Sequence, residues 1–483
     1  MLRNRLYYLL RDSVVYGASA AVNKAFALIT LPLLTGYFSV QEYGELDYIM
    51  VVNGLLVIFL IFGQDSAVAR FYYEYKETDL RQQLISLSLI FQVFVMALFI
   101  PLIWISARYY LDITNKNNDE IIILLMIQLP FQLLINFSQN ILKWTFSRNK
   151  FLLISLGSTA TYTGFLICAI SFFEVKIFGV LVVWLLNNIL FGALGLILIR
   201  KWLVIPRGIS PLREMVKFAI PYGVICCFGA FTPVLERMLV SNQLGADSLG
   251  LYALATKLAM LMGLIINSFQ TSWGPFSLSL YAKPDAGATF NWVLKLFTLT
   301  ACITALILTI LSQYLILLLS SESYLGAVIV VFPLLMSLVV QATSWITEIG
   351  IGISKRSHLS LYAYISSIIF TLGSIWFFVP LFGLVGVGLG VLVGSIVKAS
   401  TASLLAQKAF PLPWHYPPVL LVISITMIGG FLSIWFKQNC IELYGDLVLG
   451  FTILIVIIIG WLYLFSISER ANIKRLLRQI IAN

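Results

Sequence analysis

The chain has 483 residues, of which 60% are hydrophobic and only 11% charged, and its formal net charge is +10. Soluble globular proteins carry about 25% charged and about 45–50% apolar residues. Apolar runs of about 20 residues recur along the whole sequence, and this is the length with which an α-helix crosses a bilayer. The composition therefore excludes a soluble globular protein and indicates a polytopic integral membrane protein.

Fourteen transmembrane spans are predicted, so the expected fold class is all-α. The first span is read as a retained helix, because its apolar run continues past the signal-peptidase-like Ala18-Ser19-Ala20 to about Phe38. The predicted spans are 13–38, 46–66, 84–106, 121–142, 151–173, 178–199, 218–240, 251–274, 294–319, 327–349, 359–379, 383–407, 418–436 and 447–467.

The basic residues predict the orientation of these spans. With the N-terminus in the cytoplasm, twenty-four of the 31 Lys and Arg fall in inside segments and five in outside segments. The remaining two, Lys24 and Lys257, lie within spans. Because short cytoplasmic loops carry an excess of Lys and Arg, both termini are predicted to be cytoplasmic. The positive charge is then explained by topology, and nucleic acid is not an expected partner.

Two segments near the outer ends of spans resemble each other at a constant distance. Superposing Gly44 on Gly250 gives an offset of 206 residues, and the basic turns at 147–150 and 354–357 repeat at 207. A constant offset predicts two pseudo-symmetric six-helix bundles, spans 1–6 and 7–12, followed by spans 13 and 14. The expected divisions are 1–199, a cytoplasmic linker 200–217, 218–410, and 411–483 with a basic tail.

Charged residues occur at or inside the predicted spans, where a charge costs about 2.5–3.5 kcal/mol at the bilayer centre. They fall on spans 1 and 2 and on the repeat partners 7 and 8, so they are expected to line one wet cavity. Those near span ends have a second interpretation, which is local pairing or snorkelling to the interface. These residues are Lys24, Asp65, Arg70, Glu236, Arg237 and Lys257.

Two spans carry stripes of polar residues at helical spacing. Such side chains either hydrogen-bond to sugar hydroxyls and water in a lumen or join neighbouring helices, at about 0.6 kcal/mol per bond. The lumen is the favoured interpretation. The stripe on span 4 comprises Gln128, Gln132, Asn136, Gln139 and Asn140, and that on span 10 comprises Ser337, Gln341, Ser344 and Glu348.

Motifs for catalysis or metal binding are weak. The five cysteines have no paired spacing, which excludes a disulfide framework and a zinc site. Gly386, Gly390 and Gly394 loosely imitate a nucleotide-binding loop, but no strand precedes them and their spacing suits close helix packing. The outside segment with Glu42, Glu45 and Asp47 resembles an acidic glycosyltransferase site only superficially. No metal, cofactor or enzymatic activity is therefore expected.

Three segments carry a family resemblance: LPLLTGYFSVQEYGELDY (31–48), GQDSAVARFYYEY (63–75) and VLERMLVSNQLGADSLGLYALATKL (234–258). They resemble the polysaccharide flippases of the multidrug/oligosaccharidyl-lipid/polysaccharide (MOP) exporter superfamily, in its O-antigen (Wzx-type) branch. In that family span 7 typically closes with Asp-Arg, which is Glu236-Arg237 here, and Gly-x-Tyr opens span 8, as Gly250-Leu251-Tyr252 does here. Fourteen spans agree with the layout of lipid-linked-sugar flippases.

The resemblance implies a substrate and a place. An oligosaccharide on polyprenyl pyrophosphate would move outward across the bacterial cytoplasmic (inner) membrane by alternating access, as a repeat unit of O-antigen, lipopolysaccharide, capsule or exopolysaccharide. Its implied partners are membrane lipids, a polysaccharide polymerase and chain-length proteins. The glycan would meet the amide stripes, including Gln341. The pyrophosphate would meet the basic residues Lys24, Arg70, Arg237 and Lys257.

Glu236 and Arg237 are expected to neutralise each other at the outer rim and to present Arg237 to the departing anion. Whether H⁺ or Na⁺ is coupled stays open, and the plausible acidic carriers are Asp65, Glu236 and Glu348. The alternatives are a peptidoglycan-precursor (lipid II) flippase, a small-molecule antiporter of the same fold, and a membrane glycosyltransferase.

Overall fold

The computed structural model describes residues 2–75, 77–114, 119–281, 283, 285–354, 356, 358–440, 442–465 and 470, and its elements are helices throughout these ranges. Short 3₁₀ helices occupy Arg200–Trp202 and Glu322–Ala327, and a π-helical turn, Gly460–Leu464, continues the last helix. The α-helices are α1 (Leu2–Tyr37), α2 (Val40–Ile61), α3 (Gln64–Glu74), α4 (Thr78–Thr114), α5 (Asp119–Trp144), α6 (Arg148–Phe172), α7 (Ile177–Ile199), α8 (Ser210–Leu280), α9 (Ala286–Leu319), α10 (Val328–Thr347), α11 (Ile349–Ile353), α12 (His358–Phe382), α13 (Leu384–Ala409), α14 (Tyr416–Asn439) and α15 (Glu442–Ile459).

Twelve stretches of the described residues are long and apolar enough to cross a membrane. One of them, Tyr222–Asn267, has 46 residues. At 1.5 Å per residue it is about 69 Å long, twice the roughly 30 Å of hydrocarbon that a helix must cross. It is therefore long enough for two spans, and the 36-residue α1 contains the first predicted span. The prediction of an all-α, multi-pass membrane fold of about fourteen spans is confirmed.

Helix starts repeat at the offset found in the sequence. Ser39 caps α2, because its hydroxyl accepts from the Glu42 N–H while the Glu42 carboxylate accepts from the Ser39 N–H. Gly245, 206 residues later, breaks α8 with a φ of 84° and lets the helix begin again. The starts of α7 at Ile177 and α13 at Leu384 are 207 residues apart. Glu42 thus acts as a capping residue.

The described chain divides into two compact units, Met1–Val234 and Leu235–Asn483, with the division inside α8. Each unit has its own hydrophobic interior. In the first unit, one buried cluster joins α3 through α8 and consists of Ala67, Val68, Tyr72, Leu84, Ile85, Phe137, Ile141, Leu142, Ile154, Phe191, Ile199, Met215 and Ala219. A second cluster of Leu60, Leu129 and Leu133 joins α2 to α5.

The second predicted span is broken inside the first unit. Phe62 and Gly63 separate α2 from α3, and both have left-handed backbone conformations, with φ of 44° and 70°. The broken backbone lies directly against α8, since a Cβ on Gly63 would be 2.6 Å from the carbonyl oxygen of Ala219. Only glycine accommodates both this conformation and this approach. The break places the residues that follow it, Gln64 and Asp65, in the first turn of a new helix.

In the second unit, glycines bring α12 and α13 into close contact. A Cβ on Gly390 would be 2.7 Å from the backbone nitrogen of Ile375, and Cβ atoms on Gly386 and Gly394 would collide with Phe378 and Thr371. This confirms the packing interpretation of these glycines over a nucleotide-binding loop. The last two helices are joined by an ion pair of 2.7 Å between Lys437 Nζ on α14 and Asp446 Oδ1 on α15.

Substituting Gly390→Leu is expected to destabilise the protein by about 1–3 kcal/mol, because the side chain must enter space held by the backbone of α12. The measurement is the fraction of detergent-solubilised protein that stays monodisperse after heating. Gly373→Leu on α12 is the matched control, since nothing lies within 4 Å of a Cβ at that glycine. Equal losses for the two variants would contradict the packing role.

Candidate functional site

The acid–base pair at the end of the seventh predicted span contacts the ring that opens the eighth. Tyr252 Oη donates a hydrogen bond of 2.8 Å to Glu236 Oε2. The Arg237 guanidinium lies 5.7 Å from the centroid of the same ring, and its Nη2 is 3.4 Å from the hydroxyl of Thr256. The break at Gly245 lies between the two helical segments that carry these residues, so the segments need not continue in one direction and Tyr252 can reach Glu236.

Burial of this cluster is nearly complete. Glu236 is 8% exposed, Arg237 3% and Tyr252 1%. A guanidinium is weakly hydrated and stacks on aromatic faces, which makes Arg the cation that tolerates such burial best. The structure therefore places Arg237 in the interior of the second unit, held by Tyr252 and Thr256.

The other predicted cations differ in their surroundings. Arg70 is more than half exposed, pairs with Glu74 at 3.2 Å one helical turn away, and lies 4.7 Å from the ring centroid of Phe218. This contact is the local pairing that was the second interpretation of the charges near span ends. Lys24 on α1 and Lys257 on α8 are half-buried. Asn23, next to Lys24, donates to the hydroxyl of Ser155 on α6 at 2.9 Å, which anchors this part of α1.

Two amides of the first polar stripe join helices. Gln128 Nε2 donates to Asn53 Oδ1 at 3.1 Å, and Asn53 Nδ2 donates to Gln132 Oε1 at 2.6 Å. These bonds connect α5 to α2 within the first unit. Further along α5, Asn140 donates to Asn136 at 3.0 Å, and Gln139 is half-buried. Two roles were considered for this stripe, lining a lumen and joining helices. The side chains of Gln128 and Gln132 join helices.

Asp65 lies in a second polar environment of the first unit. It occupies the first turn of α3, and its Oδ1 accepts from the backbone N–H of Ser66 at 2.7 Å. The positive end of a helix dipole favours a carboxylate at this position. Together with Asn136 and Asn140 of the polar stripe, Asp65 lines a small cavity between α3, α4 and α5.

The second polar stripe borders a larger cavity. It has a volume of about 560 Å³ and lies among α9, α10, α13 and α14 in the second unit. Ser344 belongs to its lining, while Ser337 donates to the Leu334 carbonyl, and Gln341 and Glu348 are half-buried. Hydroxyls dominate the polar part of the lining, which includes Thr343, Ser344, Thr347, Ser400, Ser403, Tyr416 and Ser424.

Lys398 is a candidate functional residue that the sequence analysis missed. It was counted among the bases at the cytoplasmic ends of spans, but it lies near the middle of α13 and is 3% exposed. Its ammonium is 4.1 Å from the ring centroid of Tyr364, and its Nζ has no hydrogen-bond partner among the described residues. Lys398 therefore belongs with the basic residues inside helices and not with those at span ends.

These features define a multi-pass helical membrane protein with charged and polar groups held inside two helical units, and comparisons with known proteins give the family. The model of a family described as polysaccharide biosynthesis protein matches residues 9–280, more than half of the chain. The chain belongs to this family.

Two relatives from Haemophilus influenzae are similar in sequence. One, named an uncharacterized membrane protein, is 23% identical over 285 residues, which cover 58% of this chain and 67% of the relative. The other, named Lsg locus putative protein 1, is 20% identical over 278 residues, which cover 55% of this chain and 65% of the relative. The matches therefore span about two thirds of the length of these relatives.

Solved structures show the same fold. A lipid II flippase MurJ in an inward closed conformation matches with a TM-score of 0.70 and 17% identity, over 93% of this chain and 99% of that one. An outward-facing multidrug resistance MATE family transporter of the MOP superfamily matches with a TM-score of 0.62 and 15% identity, over 87% of this chain and 96% of that one. These two matches confirm the predicted resemblance at the level of the fold.

Replacing Tyr252 by Phe is expected to lower the free energy of unfolding by about 1.5–3 kcal/mol, because a bond to a carboxylate is lost while the ring beneath Arg237 remains. The measurement is unfolding in mixed micelles titrated with SDS. In a Glu236→Gln background the same change should cost only about 0.5–1.5 kcal/mol, as for a neutral bond. Equal losses in both backgrounds would contradict the charge-assisted bond.

Replacing Lys398 by Met is expected to leave the thermal midpoint unchanged or to raise it by a few degrees, since a buried ammonium without a hydrogen bond is unfavourable. Lys408→Met, in the last turn of α13, is the matched control and should lose about 0.3–1 kcal/mol of helix-dipole stabilisation. Heating curves of both purified variants measure this. A midpoint lowered more by Lys398→Met than by Lys408→Met would show that the contact with Tyr364 outweighs the desolvation.

Proposed function

We propose that the protein is a flippase that moves a polyprenyl-pyrophosphate-linked oligosaccharide from the inner to the outer leaflet of the bacterial cytoplasmic membrane. The observation that carries the proposal is the match to the polysaccharide biosynthesis family over residues 9–280, in a chain that has the exporter fold. Such a substrate has an anionic pyrophosphate, a polar glycan and an isoprenoid tail. The oligosaccharide that the proposed flippase moves is a repeat unit of O-antigen, of lipopolysaccharide or of a capsule.

The pyrophosphate is proposed to bind to basic side chains at membrane depth. Lys24 and Lys257 are half-buried, so they keep access to a polar ligand while the surrounding protein weakens competition from water. Arg237 is packed on Tyr252, and Arg70 is paired with Glu74. These two residues are therefore proposed to add positive charge along the substrate path and not to make the first contact with the pyrophosphate. An inside-negative potential favours outward movement of the anion by about 2.3 kcal/mol per charge per 100 mV.

The glycan is proposed to pass along polar side chains that the helix-joining bonds leave available, such as Gln139 and Gln341. Asp65, Glu236 and Glu348 are the proposed sites of coupling to H⁺ or Na⁺. Transport proceeds by alternating access between the bundles 1–199 and 218–410, with both termini in the cytoplasm. A polymerase and chain-length proteins then take up the delivered unit.

A lipid II flippase is the second candidate. The observation in its favour is the TM-score of 0.70 with MurJ, which covers nearly the whole of both chains. At 17% identity this likeness defines the fold and leaves the glycan open. The two candidates share the lipid pyrophosphate and differ in the saccharide, so they predict different lipid intermediates in a deletion strain.

Deleting the gene in its native host is expected to cause complete lipid-linked oligosaccharide units to accumulate on the cytoplasmic side, because assembly continues while export stops. Extraction of the lipid fraction and mass spectrometry of the glycan measure this. Accumulated peptidoglycan precursor would identify the second candidate instead, and truncated units would indicate an enzyme and contradict both.

Complementation then tests the cationic contact. Lys24→Gln should fail to restore export while Lys24→Arg restores it, since Arg keeps the charge. Lys150→Gln, at an exposed lysine of α6, is the matched control and should restore export fully. Immunoblots of membranes establish equal protein levels. Full export by Lys24→Gln would refute the role of Lys24.

A further inference from the structure

The connector between α7 and α8, residues 200–209, presents large apolar side chains outside the helices of the first unit. It begins with the 3₁₀ helix Arg200–Trp202 and continues without regular structure to the start of α8 at Ser210. Ile205 is 93% exposed and Ile209 is 76% exposed. No other large apolar side chain in the described part of the chain is as exposed as Ile205.

Hydrogen bonds attach this connector to α4. Gln82 Nε2 donates to the carbonyl oxygen of Lys201 at 2.7 Å, and the backbone N–H of Val204 donates to Ser86 Oγ at 2.8 Å. Both bonds lie within the first unit. The exposure of the isoleucines is therefore a property of a segment held in place by the protein and not of a free loop.

The same bonds determine how deep the connector lies in the membrane. Ser86 belongs to the predicted span 84–106 and to the stretch Thr78–Ile105, which is apolar enough to cross a bilayer. The connector itself leaves a second such stretch, Ile177–Trp202. A segment that leaves one membrane-crossing helix and bonds to a residue inside another lies at the bilayer boundary. At that depth isoleucines reach acyl chains, and long basic side chains reach headgroups.

Basic residues flank the two isoleucines. Arg200, Lys201, Arg207 and Arg213 are all exposed, and none of the four forms an ion pair with an acid of the described residues. Glu214 is the one acid of residues 200–214, so four bases and one acid give this segment a net charge of +3. A guanidinium is planar and binds a phosphate through two parallel hydrogen bonds. The charge of the segment therefore complements an anionic headgroup.

We propose that the connector is a docking surface for anionic phospholipids, in which Arg207 and Arg213 bind headgroup phosphates while Ile205 and Ile209 insert among the adjoining acyl carbons. A free phosphate would leave the isoleucines uncovered, and a neutral lipid would leave the arginines unpaired. With the orientation predicted from the basic residues, the lipids belong to the cytoplasmic leaflet, whose negative surface attracts such segments. The bound lipids are bilayer components and not transported substrate, so the inference is independent of the proposed function.

The first test titrates the purified full-length chain with phosphatidylglycerol or phosphatidylcholine and measures bound lipid by native mass spectrometry. The wild-type protein should prefer phosphatidylglycerol, and added salt should weaken the preference. Arg207→Gln combined with Arg213→Gln should reduce the preference roughly 25-fold, about fivefold for each base. Lys176→Gln is the matched control and should keep it, because Lys176 is exposed at the opposite end of α7.

The second test measures backbone hydrogen exchange in nanodiscs of either lipid. Residues 205–209 should exchange more slowly in phosphatidylglycerol, and Ile205→Ser combined with Ile209→Ser should abolish the difference. Residues 173–176, before α7, should exchange equally in both lipids and serve as the internal reference.

The proposal is overturned if the wild-type protein binds both lipids equally, or if its preference survives the loss of Arg207 and Arg213 or falls as much in Lys176→Gln. Displacement of the bound phosphatidylglycerol by inorganic phosphate at equal concentration would indicate a site for the free anion and would also overturn it. So would connector exchange that does not respond to lipid charge. Because none of these measurements involves transport, their failure leaves the deletion phenotype to be judged separately.

Discussion

The constraint on which this structure depends is the poor solvation of polar groups inside the bilayer. Each charged or amide side chain at membrane depth must find a partner within the protein or a wet cavity. The chain meets this constraint in local clusters: Glu236 receives the hydroxyl of Tyr252, Arg237 lies over the same ring, and Asn53 joins Gln128 to Gln132. Polar bonds therefore hold helices together where hydrophobic burial offers little preference between lipid and protein.

The number and class of the helices were predictable because they follow from long apolar runs, which are a property of the local sequence. The glycines of α13 were predictable for the same reason, since their spacing belongs to a single helix. Side-chain partners were not, because Tyr252 reaches Glu236 only after the turn at Gly245 brings two segments together. Lys398 was missed because a count by loops assigns a lysine to the nearer span end, whereas its place depends on where α13 begins and ends.

Broken helices account for the positions of several polar groups in both units. Phe62 and Gly63 interrupt the second span, Gly245 interrupts α8, and Glu348 stands between α10 and α11. At each interruption the regular helical backbone stops, and polar residues lie at the break or within a few positions of it. The sequence contains a weak signal for this, a Gly within or next to an acidic segment, but its meaning depends on backbone angles that composition does not reveal.

Whether a buried polar group is bonded separates structural from functional roles. Asn53 bonds to both Gln128 and Gln132, and a group that is already satisfied contributes to stability and gains little from a ligand. Lys398 and Gln92 have buried polar atoms without hydrogen-bond partners in the described structure. A ligand with the right chemistry can therefore make the hydrogen bonds that the protein leaves unmade. An ammonium then suits an anionic group and an amide oxygen suits a cation. In the proposed flippase, which would have to release what it binds, incompletely bonded groups of this kind are the ones whose interactions differ between loaded and empty states. Only such differences shift a conformational equilibrium.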